Sequence, residues 1–437
     1  MPMPSTLPKQ GLDPRPIVRC LWAMISIAQA LDMVLGAVRP LPEEEVALDE
    51  SVGRVLAEDV VAGADVPAFA NSQMDGYAVR AEDVAGGSES CPVELRVLGT
   101  IAAGRPLGLT VGRGEAARIM TGAPIPAGAD AVIPVEEASS DAPERVSIAS
   151  SAMAGRFVRP AGEDMRAGDR VLEEGRRLGA PDIGLLASLG RASVRLRRRP
   201  RVAILGTGDE LVPIGGALGP GQIHDSNAHA LGAAVRELGG EPSLLGIVRD
   251  DPAALRAALT AALRFDAVLS TGGVSVGDFD HVKDVMDEIG LERRFWRVAQ
   301  KPGKPIVFAV RDQTLFFGLP GNPVSAMVCF HLYVAPALRA AAGLREVFLP
   351  ASDVVLGEAI RTAKDLTELV RCTLRSEAGV LVALTTGTQS SGALRSLSLA
   401  DGLLISPPGT AELRAGDPAR ALLLRAGPAL ASTHPFA

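Results

Sequence analysis

The sequence is poor in aromatic residues and in positive charge, and each shortage excludes a class of protein. Only 11 Phe, two Trp and two Tyr occur in 437 residues, so the aromatic surfaces on which nucleic-acid bases stack are missing. The formal net charge is −7, whereas proteins that bind nucleic acid are usually basic. We therefore expect no nucleic-acid partner.

Cysteine and histidine are also scarce. The four cysteines (Cys20, Cys91, Cys329 and Cys372) lie far apart and form no CxxC pair, which is typical of reduced thiols and predicts a cytoplasmic protein. The five histidines are scattered, so no Cys/His cluster has the spacing of zinc ligands. We also expect no membrane association, because the apolar runs fall short of the length that spans a bilayer.

The N terminus lacks the order of a signal peptide. Residues 1–23 are rich in proline and show no basic start followed by a long apolar region and a cleavage site. We predict that they form a disordered leader, with Met24 as the natural start. An amphipathic helix is predicted over Ala28 to Val38, with Ser26 at its N-cap.

The chain does contain enough apolar residues for large cores. Hydrophobic residues make up 47% and charged residues 22%, and the length predicts about three domains. The pattern predicts a multidomain α/β plus β protein, with a central doubly wound, mostly parallel α/β domain, flanking small β domains and a β-barrel-like C-terminal domain. The predicted segments are a helical linking domain (24–65 and 155–198), a small β domain (66–154), the α/β domain (199–345) and the C-terminal β domain (346–437).

Each strand of the predicted α/β domain ends in a polar loop. The carboxyl ends of parallel strands meet at one edge of a sheet, and ligands bind in the crevice there. Four loops are therefore expected to converge: Gly206–Glu210, Arg249–Asp251, Thr271–Asp280 and Leu319–Pro323.

Carboxylates occur in three of these loops. Convergence of Glu210, Asp250, Asp278 and Asp280 is costly unless a cation or proton compensates, and Mg²⁺ suits such oxygen ligands best. An alternative remains for Asp250 and Asp251, since either is a natural cap for a helix that begins at Pro252.

Two further segments are suited to holding an anion. Lys301-Pro302-Gly303-Lys304-Pro305 places two lysines on a loop stiffened by proline, although an exposed turn with solvated lysines is the ordinary interpretation. Leu319 to Ser325 is a strand-to-helix turn whose helix N terminus can hold an anion. No Ser/His/Asp set has a recognisable spacing, so hydrolysis by a catalytic triad is not expected.

Seven motifs, which run in order between about Ile25 and Pro418, resemble one family. The sequence is similar to the molybdopterin molybdenumtransferases (MoeA and the E domain of gephyrin). The motifs are Asn71 to Arg80, Met120 to Ala123, Gly162 to Asp164, Thr207 to Leu211, Ser270 to Asp280, Lys301 to Pro305 and Leu319 to Ser325.

The resemblance implies an activity and an assembly. It implies a central domain of the molybdopterin-binding type and insertion of molybdate into adenylylated molybdopterin, with Mg²⁺ as cofactor and release of AMP. It further implies an elongated homodimer that contacts the adenylyltransferase and apo-molybdoenzymes or their chaperones.

The resemblance also implies site residues. Asp250, Asp278 and Asp280 would hold Mg²⁺, and Glu210 would line the crevice. Asp75, Thr121, Arg159 and Asp164 would reach it from the partner subunit, with Asp75 and Asp164 counted, like Glu210, Asp250 and Asp280, as catalytic. The remaining substrate contacts would come from Thr271, Gly272, Gly273, Ser275, Arg297, Lys301, Lys304, Pro320, Gly321, Asn322, Pro323, Ser325, Arg371 and Ser391, with Ser390 as an alternative to Ser391.

The sequence departs from the family at Arg297, where many members have lysine, and matches only loosely over Thr386 to Ser391. Three other functions compete. A molybdopterin adenylyltransferase shares the central domain but lacks the flanking ones, and a non-catalytic dimeric scaffold would not need the carboxylates. A dinucleotide-binding domain would need a third glycine after Gly206-Thr207-Gly208.

Overall fold

The chain folds into two compact units. The structure, a computed structural model, describes residues 24–105, 108–272, 280–363 and 365–425, and side chains throughout these ranges except at 280–283. Among the described residues, unit 1 comprises those within 24–44, 53–55 and 196–425, and unit 2 comprises those within Glu45–Val52 and Leu56–Arg195. The predicted leader, residues 1–23, lies outside the described residues.

The first helix, α1 (Ile27–Ala37), has the predicted N-cap Ser26, and it begins and ends one residue earlier than predicted. Ser26 and Gln29 form a capping box in which Gln29 N donates to Ser26 Oγ (3.2 Å) and Ser26 N donates to Gln29 Oε1 (2.9 Å). Ala30 and Val34 lie one turn apart and are fully buried, so α1 packs one apolar stripe into the core of unit 1. Strand β1 (Glu43–Ala47) follows.

Unit 2 is built around a six-stranded sheet. Its strands and helices are β2 (Val60–Val61), β3 (Asn71–Ser72), β4 (Gly76–Val79), α2 (Ala81–Val84), β5 (Val93–Ile101), β6 (Glu115–Ile119), β7 (Ala131–Pro134), β8 (Ala138–Ala142), β9 (Arg145–Ile148), β10 (Val158–Arg159), β11 (Arg170–Leu172) and α3 (Ala180–Ser188). Strand β12 (Ser193–Arg197) begins in unit 2 and ends in unit 1. The strand order of the sheet is β7-β4-β6-β5-β9-β8. Strand β4 and the edge strand β7 are buried along their whole length. The short strands β10 and β11 pair with β3 and β2, respectively.

The α/β part of unit 1 contains the sheet that the sequence predicts. Its elements are β13 (Arg201–Thr207), β14 (Leu211–Val212), β15 (Ile223–His224), α4 (Ser226–Glu237), β16 (Glu241–Val248), α5 (Pro252–Ala262), β17 (Ala267–Thr271), α6 (Asp280–Glu288), β18 (Glu292–Arg297), β19 (Gln300–Lys301), β20 (Pro305–Arg311) and β21 (Thr314–Leu319). The strand order is β16-β13-β17-β21-β20-β18, and β16, β13, β17 and β21 are parallel.

Helices cover both faces of this sheet. One hydrophobic core includes residues of α1 and α4, and the other includes residues of α5 and α6. Strands β17 and β21 are buried at every residue, which is why apolar residues predominate in both. The doubly wound fold is thus confirmed.

The antiparallel edge strand β18 was not predicted. It pairs with β20, which in turn runs antiparallel to β21. Its sequence, Glu-Arg-Arg-Phe-Trp-Arg, has only two apolar residues, because charged side chains protect the open edge of a sheet.

A long apolar helix follows β21, as predicted from Pro323 to Ala341. It consists of α7 (Pro323–Cys329), a π-helical segment (Phe330–Val334) and α8 (Ala335–Ala341). Pro336 has no N–H to donate to the preceding turn, which accounts for the irregular ladder. The expectation that no apolar run is long enough for a membrane span is wrong at this helix: by length and composition it qualifies, but 78% of its apolar window is buried inside the protein.

The C-terminal part of unit 1 is a small barrel. It comprises β22 (Ala351–Leu356), β23 (Ile360–Arg361), β24 (Thr367–Glu377), β25 (Val380–Thr385), α9 (Leu394–Ser398), β26 (Gly402–Ser406), β27 (Glu412–Leu413) and β28 (Pro418–Leu423). The strand order β24-β25-β22-β28-β26 closes on itself through a pairing of β24 with β26. Strand β19 extends this sheet by pairing with β24, so the barrel and the α/β sheet meet at the lysine-containing loop.

Candidate active site

The polar loops of the α/β sheet converge on one edge. Thr207 pairs with Val248, Gly206 with Thr271, and Thr271 with Leu319, so four neighbouring strands end at the same level. Strand β18 ends and β20 begins at this edge too, since Arg297 pairs with Pro305. The convergence predicted from the sequence is confirmed, and the edge also receives Arg297 and the loop with Lys301 and Lys304.

Gly272 shows how closely these strand ends approach one another. It has a φ of +85°, and a Cβ placed on it would lie 2.3 Å from the carbonyl oxygen of Thr207. Thr207 Oγ1 donates to the carbonyl of Thr271 at 3.2 Å, which ties the two strand ends together. Only glycine fits at position 272. Gly273, Ser275 and Asp278 lie outside the described residues.

The carboxylates at this edge differ in their positions and in what they contact. Asp251 caps α5, because its Oδ2 accepts from Ala254 N at 2.7 Å; the capping alternative is therefore correct for Asp251, and Asp250 precedes the cap. Glu210 is exposed and lies against Gly208, where an added Cβ would be 2.4 Å from Glu210 Oε2. Asp280 is the first residue of α6.

These donors fit Mg²⁺ by their chemistry. Glu210 and Asp250 carry carboxylates in loops at one sheet edge, and carboxylate oxygens are the type of donor that Mg²⁺ prefers. Among the described residues, no group of three or more His, Cys, Asp or Glu side chains is arranged to hold a metal ion. Two of the three predicted ligands, Asp278 and the side chain of Asp280, are outside that set.

Two residues at this edge were missed from the sequence. Asp225 is 5% exposed, caps α4 through Ala228 N (3.1 Å) and lies against Gly206. Asn227 Nδ2 donates to the carbonyl of Gly321 at 2.7 Å and so connects α4 to the turn after β21. The available signal was the Asp-Ser-Asn run, in which Asp225 is the N-cap and Ser226 and Asn227 begin the helix.

A buried polar network holds the loop from Lys301 to Pro305, which we call the lysine loop. Gln300 is fully buried, its Nε2 donates to the carbonyl of Pro302 at 3.1 Å, and its Oε1 accepts from Tyr333 Oη. Gly303, with a φ of +89°, sits on the Cys329 thiol, where an added Cβ would be 2.5 Å from Sγ. Burial raises the pKa of both Cys329 and Tyr333, so both stay neutral and act as hydrogen-bonding groups.

The charged residues of the loop point outward from this network. Lys304 is exposed, and Lys301 Nζ lies 2.9 Å from Glu368 Oε1 on β24. The ordinary interpretation, two solvated lysines on a free turn, is wrong for Lys301, because a carboxylate of the barrel pairs with it. Arg297 is half-buried at the end of β18.

The turn after β21 exposes Gly321 and Asn322 and buries Pro320 and Ser325. Asn322 occupies the N-cap position of α7, and its side chain makes no capping hydrogen bond within the described structure. Pro323 is at the first turn of the helix, as predicted. The Asn322 amide is therefore not committed to the helix end.

The two candidates in the barrel have different surroundings. Arg371 is fully buried and donates to Ser396 Oγ (2.8 Å) and to the carbonyls of Thr388 and Ser390 (both 3.1 Å). It thus shapes the 386–391 loop from inside. The carbonyl of Ser391 accepts from Val324 N at 3.2 Å, which brings that loop to the N terminus of α7.

Unit 2 holds a second set of predicted residues. Thr121 donates to Asp75 Oδ1 from its N–H (2.7 Å) and its hydroxyl (2.8 Å), and these two bonds lower the pKa of Asp75. Arg159 lies opposite Asn71 in the β3–β10 pair and forms an ion pair with Glu163 at 2.8 Å. Asp164 is exposed, and its N–H donates to Val66 O.

Comparison with known proteins extends along nearly the whole chain. Residues 25–190 match the MoeA N-terminal region (domain I and II), residues 203–340 a probable molybdopterin binding domain, and residues 353–424 the MoeA C-terminal region (domain IV). Molybdopterin molybdenumtransferase 2 of Mycobacterium tuberculosis is 39% identical over 391 residues, which is 88% of this chain and 95% of that protein. Molybdopterin molybdenumtransferase of Staphylococcus epidermidis is 34% identical over 394 residues, with 90% and 94% covered.

The fold agrees with these matches. The crystal structure of the molybdopterin biosynthesis MoeA protein from Pyrococcus horikosii aligns with a TM-score of 0.81 at 34% identity, covering 93% of this chain and all of that one. A doubly wound sheet with a polar edge, a β unit and a terminal barrel define a multidomain α/β enzyme of the molybdopterin-binding class. The chain belongs to the molybdopterin molybdenumtransferase (MoeA) family.

Proposed function

We propose that this enzyme inserts molybdate into adenylylated molybdopterin, with Mg²⁺-dependent cleavage of the adenylate and release of AMP. The observation that carries the proposal is the sheet edge, where the close-packed glycine at 272 and the lysine loop lie at the ends of strands of one sheet. Membership of the molybdenumtransferase family supports the same reaction.

The end of strand β17, where Gly272 lies, would bind the phosphates of the substrate. Backbone N–H groups near Gly272 can approach a phosphate closely because no side chain intervenes. Thr271, Gly273 and Ser275 would complete this cradle. Asn322 and Gly321, both exposed at the next strand end, would bound it together with Pro320, Pro323 and Ser325.

The carboxylates would hold the cation. Asp250, Asp278 and Asp280 would bind Mg²⁺, which would neutralise charge on the phosphoanhydride while AMP leaves. Glu210 would line the same crevice, and its negative charge would repel anions that approach it.

The cationic side chains suit the oxyanion. Lys301, Lys304 and Arg297 lie at one corner of the edge and would attract molybdate to the dithiolene. Arg371 and Ser391 would act by shaping the barrel loop that reaches α7. Asp75, Thr121, Arg159 and Asp164 would come from the partner subunit of a cytoplasmic homodimer. That dimer would receive substrate from the adenylyltransferase and deliver product to apo-molybdoenzymes or their chaperones.

The test is the variant Asp280→Ala. It should keep the fold but abolish AMP release from adenylylated molybdopterin in the presence of Mg²⁺ and molybdate. Asp284→Asn, an exposed carboxylate one turn further along α6, is the matched control and should turn over like the wild type. Wild-type turnover by Asp280→Ala would refute the assignment.

A further inference from the structure

Glu368 differs from the other carboxylates of the barrel because it is buried and faces a candidate oxyanion ligand. Its side chain is 6% exposed, and its Oε1 lies 2.9 Å from Lys301 Nζ. Its Oε2 accepts from Ala363 N at 2.5 Å, so both oxygens are engaged. A buried carboxylate is retained only where such partners compensate for its desolvation.

The backbone fixes this pair. Strand β19 pairs with β24 in parallel, with Gln300 opposite Thr367 and Lys301 opposite Glu368. The Gln300–Tyr333 network immobilises the residue before Lys301 from the other side. The Lys301 ammonium is therefore held by Glu368 while its side chain stays 53% exposed toward the edge.

The charge of Glu368 has a consequence for anion binding. An oxyanion that approaches Lys301 must share the ammonium with a carboxylate already in contact with it, and the two anions repel each other. Arg371, three residues further along β24, also feels Glu368, although burial is the larger influence on its pKa and lowers it.

We propose that Glu368 is a positioning residue that holds Lys301 and weakens the affinity of the lysine loop for tetrahedral oxyanions, so that the oxyanion exchanges readily. This inference rests on the proposed function, because it takes Lys301 as an oxyanion ligand. It assigns to the barrel a direct electrostatic part in the site.

The test is to titrate the full-length chain with sodium molybdate, and separately with sodium sulfate, by calorimetry. Glu368→Gln keeps an oxygen acceptor for Lys301 and removes the charge, so it should bind both anions about three- to tenfold more tightly. A merely structural role would weaken binding or leave it unchanged. Glu358→Gln is the control, because Glu358 bonds Thr385 N and Oγ1 in the same barrel; it should bind anions like the wild type.

A double-mutant cycle shows whether the effect passes through Lys301. In a Lys301→Gln background, Glu368→Gln should change anion affinity by less than about twofold. If Glu368→Gln does not fold, Glu368→Asp keeps the buried charge but retracts it from Nζ, and it should also tighten anion binding, by a smaller factor.

Unchanged or weaker anion binding by both Glu368 variants would overturn the inference, as would undetectable binding to wild type and variants alike. Turnover assays separate this failure from that of the proposed function. A wild-type chain that releases AMP while the Glu368 variants bind anions normally refutes only the role of Glu368. A wild-type chain without turnover refutes the proposed function.

Discussion

Single buried side chains that contact the lysine loop determine the positions of Lys301 and Lys304. Within an apolar core, Tyr333 Oη donates to Gln300 Oε1, and Gln300 Nε2 donates to the carbonyl of Pro302. In such surroundings an unmatched hydrogen-bonding group is costly, so the network holds one arrangement.

Tyr333→Phe tests this role. Loss of the hydroxyl leaves Gln300 Oε1 without its donor, so the free energy of unfolding should fall by about 1–3 kcal/mol. The KM for molybdate should rise several-fold while kcat changes less, because the loop loses its anchor and the phosphate cradle is untouched. Tyr77→Phe, the other tyrosine of the chain, serves as the control in unit 2. Equal KM values in both variants would argue against the anchor.

For single residues of the site, the sequence predicts which residue types take part but not what surrounds them. Lys301 and Lys304 were predicted together, yet only Lys301 is described in an ion pair, with a carboxylate that lies 67 residues further along the chain. Arg371 was predicted as an oxyanion contact, but the structure buries it completely and directs its donors to loop carbonyls. Burial depends on tertiary packing, which a local pattern does not contain.

Among the secondary-structure elements, the strand ends carry the site. Predicted strands such as Ala267 to Leu269 lie inside the observed ones, because β-branched and apolar runs bounded by glycine are reliable strand signals. The charged strand β18 was not predicted, although it places Arg297 at the edge of the sheet where the site lies. The loop at Arg249–Asp251 was predicted with two alternatives, and the geometry assigns the cap to Asp251.

Gly272→Ala probes how tightly the strand ends meet. Its Cβ would clash with the backbone of Thr207 and would also require a positive φ, so we expect a loss of about 3 kcal/mol or more in stability. Gly290→Ala has a similar φ of +74° but open space around it, with the nearest atom at 3.9 Å, and should cost about 1–2 kcal/mol. Chemical denaturation of both variants gives the difference, and equal losses would show that the strand ends can separate at little cost.

For the whole molecule, the predicted site residues are divided between two units. Asp75, Thr121, Arg159 and Asp164 belong to unit 2, and the carboxylates and lysines of the sheet edge belong to unit 1. The sequence alone did not suggest that a partner subunit completes the site; that expectation came from the family resemblance.

Complementation tests this arrangement. In the proposed homodimer, Asp75→Asn and Asp280→Ala should each abolish turnover when both subunits carry the same variant. A heterodimer of the two, isolated with different affinity tags, would contain one site with both wild-type residues and should recover about half of the wild-type turnover. No recovery in a heterodimer of confirmed composition would place both residues in a site within one subunit.

The stoichiometry of the reaction tests the proposed function most directly. Purified wild-type chain is mixed with adenylylated molybdopterin, Mg²⁺ and molybdate, and AMP and dithiolene-bound molybdenum are quantified together. The proposed reaction predicts one AMP released for each molybdenum inserted, with both products lost when Mg²⁺ is chelated. Substrate that binds but yields neither AMP nor inserted molybdenum in the presence of Mg²⁺ would contradict it.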